Sequence, residues 1–164
     1  MSLNAILGKT WGPIGTTTLQ KSTANRGSIS VISAFNTRNL IFMIHSERIR
    51  SFLVIKFLKK LLKYHAGKHI VLVMDQAPTH ISNATLEYIN SENRLHVFNF
   101  PKRSPEFNPH EKIWNYLKNE ELKSHQARNI KDLKKIIKNK LIKISKNSCL
   151  LKGLYYRSII SKFF

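Results

Sequence analysis

Asp75 and Glu111 stand 36 positions apart, and each sits where a structural element could put a carboxylate to chemical use. Asp75 directly follows the unbroken apolar run Ile70-Val71-Leu72-Val73-Met74, which reads as a parallel strand covered on both faces. Ligands of open α/β sheets gather beyond the carboxyl ends of such strands, so an acid there is placed for metal or acid–base chemistry. The same residue could equally cap the turn that follows it. Glu111 lies in Asn108-Pro109-His110-Glu111, where Asn108 as N-cap and Pro109 in the first helical position predict a helix start. There Glu111 could reach back to the cap, as in a capping box, or point outward as a ligand. His80, five residues after Asp75, is either a ligand or a hydrogen-bonded structural group. Position alone leaves all three open.

These side chains need elements to hold them. Residues 1–27 are small, polar and Gly-rich, which predicts an extended or looping entry. From Ser28 the alternation places Ile29, Val31 and Phe35 on one face of a strand, and Asn36 to Asn39 read as a hairpin loop into a second strand, Leu40 to Ile44. Ser46 and Glu47 predict a helix start, with Phe52, Ile55, Leu58 and Leu62 as the apolar positions and a stop near Gly67. After the strand that ends at Asp75, the pattern predicts a helix over 81–91 and a strand over 95–100. Pro101, Pro105 and Pro109 then punctuate a loop into a helix over 111–124, with Ile113, Trp114 and Leu117 on its inner stripe. A last helix, Asn129 to Lys146, carries Leu133, Ile136, Ile137, Leu141 and Ile144 on one face. The order β-β-α-β-α-β is that of a mixed α/β domain. Trp11 and Trp114 read as core residues, and the aromatic C-terminus (Tyr155, Tyr156, Phe163, Phe164) could pack on the domain, dimerise or fray.

Composition narrows the partners. The 164 residues carry 28 Lys plus Arg against 9 Asp plus Glu, a formal charge of +19, with 42% hydrophobic residues. Such a surface repels itself, and a polyanion relieves the repulsion. There is no run of eighteen apolar residues and no charged and apolar leader pattern, so the reading is a soluble, intracellular protein without a membrane partner. The lone Cys149 cannot form an internal disulfide and reads as a core or interface thiol. Charge concentrates in residues 122–164, where twelve Lys or Arg meet one acid, Asp132. Lys131, Lys134, Lys135 and Lys138 are candidate phosphate contacts on the last helix. No Asp or Glu precedes Glu47, so residues 1–46 offer no carboxylate.

Taken together the segments lose their anonymity. Val71-Leu72-Val73-Met74-Asp75-Gln76-Ala77-Pro78-Thr79-His80, followed by Pro101, Ser104, Pro105, Asn108, Pro109, Glu111 and Trp114, resembles the DDE-superfamily endonuclease domain of mariner-like insertion-sequence transposases. In that family a strand ends in Asp, then Asn or a small residue and His, and about 35 residues later comes P-x-x-S-P-x-x-N-P-x-E-x-x-W. Trp11-Gly12-Pro13-Ile14-Gly15 resembles a further family element, and the likeness covers about residues 1 to 122. Gln76 stands where Asn is usual, and Lys102-Arg103 replace an apolar or aromatic pair, adding positive charge beside the site.

The resemblance implies an α/β, ribonuclease-H-like mixed sheet with flanking helices, in which carboxylates hold two Mg²⁺ or Mn²⁺ ions for DNA cleavage and strand transfer. Asp75 and Glu111 would be the second and third carboxylates, Gln76, His80 and Asn108 would order the site, and Lys102, Arg103 and the helix lysines would bind double-stranded DNA. The first carboxylate has no counterpart before Trp11; family spacing would put it upstream of Met1. The resemblance therefore implies a catalytically incomplete C-terminal part, truncated or split by a frameshift, with its central first strand missing or reduced to a stub at Leu3 to Leu7. It divides into a partial catalytic domain, 1–124, and a basic helical extension, 125–164. A homodimer or an N-terminal transposase fragment would be its protein partner, and the cytoplasm, on the nucleoid, its location. The alternative is a non-catalytic, basic nucleic-acid-binding protein in which Asp75 and Glu111 are only caps.

Overall fold

The structure, a computed structural model, describes residues 27–101, 108–123, 125 and 127–160, with side chains to Tyr156. The family-like element at Trp11 and the stub at Leu3 to Leu7 lie outside the described residues.

Two short sheets form among the described residues. Strands β1 (Ser30–Phe35) and β2 (Leu40–His45) pair antiparallel, from Ser30 opposite His45 to Phe35 opposite Leu40. The predicted four-residue loop forms because Asn36 Oδ1 accepts the N–H groups of Arg38 and Asn39, both at 2.8 Å. Helix α1 (Ser51–Tyr64) starts after the expected Ser46–Glu47, from an extended Arg50. Its buried face is Leu53, Val54, Phe57, Leu58, Leu61 and Leu62, while Phe52 is 55% exposed, which corrects the expected stripe. Adjacent apolar pairs recurring every four positions make a broader stripe than single residues at three and four, and the broader one is buried. Beyond the helix, Gly67 takes φ 73°, a left-handed conformation that glycine adopts without steric cost.

Strands β3 (Ile70–Met74) and β4 (Leu95–Asn99) pair in parallel, joined through α2 (Asn83–Ser91). Ile70, Leu72, Met74 and Val97 pack on a core supplied mainly by α1. The opposite face is open: Val71 is 67%, Val73 49% and Phe98 60% exposed. The expectation of a strand covered on both faces is thus corrected. An uninterrupted apolar run shows that both faces are apolar, not that both are covered.

The other face of β1 and β2 carries a second core with α3 (His110–Tyr116), α4 (Ile130–Ser145) and α5 (Ser148–Ile160). In α4, Leu133, Ile137, Leu141 and Ile144 are fully buried, as the periodicity predicts, and Asn129 Oδ1 caps the helix by accepting Asp132 N–H at 2.9 Å. Trp114 and Tyr155 join this layer, the latter with its ring 5.9 Å from that of Phe35. Cys149 is exposed, not a core thiol: the helix turns Leu151 inward, and two residues away Cys149 faces outward. No helix among the described residues is long and apolar enough to cross a membrane.

Between α3 and α4 the chain makes a π-helical turn, Leu117–Glu121, closed by Leu122 N–H to Leu117 C=O at 2.8 Å. It delivers Glu121 to Lys140 and Lys143 of α4, each at 2.9 Å, and to the Tyr116 hydroxyl, which donates at 3.3 Å. Burial alone would raise the Glu121 carboxyl, but hydrogen bonds from the two ammonium groups outweigh it and hold it below the usual range. Glu121→Gln is accordingly expected to lower the thermal midpoint at neutral pH. The difference from the parent should vanish once acid protonates the parent carboxyl too, since stability from a depressed carboxylate is lost as pH falls through its folded pKa.

Candidate active site

The carboxyl end of β3 is held by its neighbour. Phe100 N–H donates to Met74 C=O, and Gln76 Nε2 donates to Phe100 C=O, both at 2.9 Å, so the ends of β3 and β4 are tied together. Asp75 follows with its side chain 54% exposed. Its Oδ1 accepts Ala77 N–H at 3.2 Å and lies 2.7 Å from Nδ1 of His80. The turn-capping role and the imidazole contact coexist on one oxygen, which fixes the carboxylate's direction while leaving it in solvent reach.

Glu111 lies in the first turn of α3 and is exposed. The start of that helix is satisfied by Asn108, one position further out than an N-cap: its Oδ1 accepts His110 N–H at 3.0 Å and its carbonyl accepts Glu111 N–H at 3.1 Å. Asn108 therefore does the capping from outside, with Pro109 between it and the helix. Lys102 and Arg103 fall outside the described residues. Lys131, Lys134, Lys135 and Lys138 are all exposed on α4 at helical spacing, with Lys134 bordering the buried face.

Sequence reasoning missed a pair. Ser33 Oγ of β1 lies 2.7 Å from Nε2 of His110, the first residue of α3, across 77 positions. The His110 ring sits edge-on to Phe35 at 4.9 Å and beside Trp114 at 5.4 Å. Burial pushes its pKa down to about 4, against the Asp75 carboxylate, which acts to raise it. A signal existed. Ser33 falls on the same strand face as Ile29, Val31 and Phe35, and a polar side chain in an apolar series calls for a partner.

Asp75 and Glu111 offer oxygen donors alone, the chemistry that Mg²⁺ and Mn²⁺ take, and both are exposed enough to be reached. Among the described residues no three His, Cys, Asp or Glu side chains gather closely enough to hold an ion.

A mixed α/β layer built this way has the ribonuclease-H-like fold of mariner transposase catalytic domains. The chain matches the crystal structure of the catalytic domain of Mos1 mariner transposase with a TM-score of 0.62 at 11% identity, over 85% of this chain and 72% of that one. It matches the Mos1 mariner paired end complex with Mn at 0.74 and 13% identity, over 94% of this chain and 48% of that one. In sequence, residues 1–134 match the model of the DDE superfamily endonucleases, and the chain belongs to that family. The transposable element Tc3 transposase of Caenorhabditis elegans is 33% identical over 60 residues, which are 37% of this chain and 18% of the relative. The matched stretches thus cover about half of the Mos1 transposase chain and less than a fifth of the Tc3 transposase.

Proposed function

We propose that the chain is the catalytic part of a DNA transposase, binding Mg²⁺ or Mn²⁺ through Asp75 and Glu111 and acting on double-stranded DNA held by the α4 lysines. The observation that carries this reading is the family match over residues 1–134, which contains both motif acids, with Asp75 directly after the parallel strand. Bound divalent ions would activate the attacking hydroxyl and stabilise the leaving oxygen of an in-line displacement at phosphorus. The chain's own part is to orient the ligands. His80 and the Ala77 N–H hold one oxygen of Asp75, Gln76 ties the two strand ends, and Asn108 starts the helix that carries Glu111. The family resemblance also implies a carboxylate ahead of Trp11, and residues 1–46 contain no Asp or Glu.

The test separates this reading from a purely DNA-binding one. With Mn²⁺ at about ten times its dissociation constant, the chain should gain about 1.4 kcal/mol of stability, visible as a raised thermal midpoint. Asp75→Ala and Glu111→Ala should each lose that gain while still binding duplex DNA. An equal Mn²⁺ effect in all three proteins would sink the metal site and leave the binder.

A further inference from the structure

We infer that the Ser33–His110 hydrogen bond is a positioning contact for Glu111, setting the rotation of α3 on β1 so that the carboxylate meets the rim where Asp75 stands. The inference rests on the metal-binding reading above and assigns a role to two residues outside it.

Helix α3 is only seven residues long, and its inward contacts, Ile113 with Leu117 just beyond, are apolar. Apolar contact is non-directional: it fixes how deep a short helix sits but leaves its rotation soft. A 2.7 Å hydrogen bond is directional, and this one acts on the first residue of the helix. Glu111 is the next residue, about 100° further round the helix, so any turn about the axis that breaks the bond swings the carboxylate with it. The ring of His110 also lies against those of Phe35 and Trp114, which restricts the imidazole itself. The charge of Asp75 reaches His110, placing the two within one electrostatic neighbourhood. Groups that orient a ligand in this way typically change metal affinity ten- to a hundredfold when removed.

Mn²⁺ titration of the full chain, with free Mn²⁺ read by electron paramagnetic resonance, tests the role without an activity assay. Ser33→Ala should weaken Mn²⁺ about tenfold, and Ser33→Thr, which keeps the hydroxyl on a strand, should stay within about twofold of the parent. His110→Leu, which fills the space beside Phe35 and Trp114, should match Ser33→Ala and gives a second route if that variant folds poorly. In a Glu111→Ala background, Ser33→Ala should change nothing further, because it acts through that carboxylate. If Glu111→Ala weakens Mn²⁺ but Ser33→Ala and His110→Leu do not, the positioning role is overturned while the site stands. Equal losses from Ser33→Ala and Ser33→Thr would also overturn it, as a packing effect. If neither Asp75→Ala nor Glu111→Ala alters Mn²⁺ binding, the site reading fails and this inference with it.

Discussion

Acidifying the metal-free chain from about pH 7 to about pH 4 is expected to remove roughly 3 kcal/mol of stability through His110 alone. The unfolded imidazole takes up its proton near pH 6.5, whereas the folded one, half-buried and packed against Phe35, resists until about pH 4. Between those values the unfolded state binds more protons, so stability falls as pH falls, and above the upper value the group contributes no slope. Asp75 limits the effect without reversing it, since burial is the larger influence. Denaturant unfolding in the presence of a chelator, repeated across this range, measures the loss. His110→Leu should flatten the curve in the window whatever it does to stability at neutral pH. A parent and variant that lose stability in parallel would show that His110 takes up its proton at the same pH in the fold as in the unfolded chain.

The second large effect concerns DNA. If Lys131, Lys134, Lys135 and Lys138 each neutralise one phosphate, log affinity for duplex DNA carries a slope of about −3.6 against log salt from these four alone. Raising salt from about 50 to 200 mM then costs about a hundredfold in affinity from this stripe. Replacing all four by Gln should remove that share of the slope, with little dependence on DNA sequence, because phosphate contacts carry no base information. Lys140 and Lys143 are a built-in contrast: they are engaged by Glu121, and neutralising them should change the slope less. Identical salt slopes for the parent and the quadruple variant would mean that the stripe is only a solvated face.

How far the chain could be read in advance depended on whether the determining contacts were local. The Asn36–Asn39 loop, the Asn129 cap and the buried face of α4 follow from residues within a few positions of one another, and all three were legible. The acid after β3 and the acid in the first turn of α3 were legible as well, because strand ends and helix starts carry local signatures. Coverage of β3 was not, since burial is decided by what the rest of the chain brings over it. The start of α1 was missed because Ser46 and Glu47 look like a cap, while the buried pairs from Leu53 onward fix where the helix docks. The Ser33–His110 contact spans 77 positions and depends on how α3 sits on β1, which no local pattern states.

The π-helical turn makes the length of one short stretch matter more than its composition. Losing a single residue from Lys118–Glu120 would leave a sequence well able to form an ordinary α-helix, and propensity alone would score the deletion as harmless. Yet it would replace the wide turn closed by Leu122 N–H to Leu117 C=O with an ordinary α-helical one, and so re-aim Glu121, whose carboxylate ties this stretch to Lys140 and Lys143 of α4. Point substitutions in that stretch are therefore far safer than any change in its residue count.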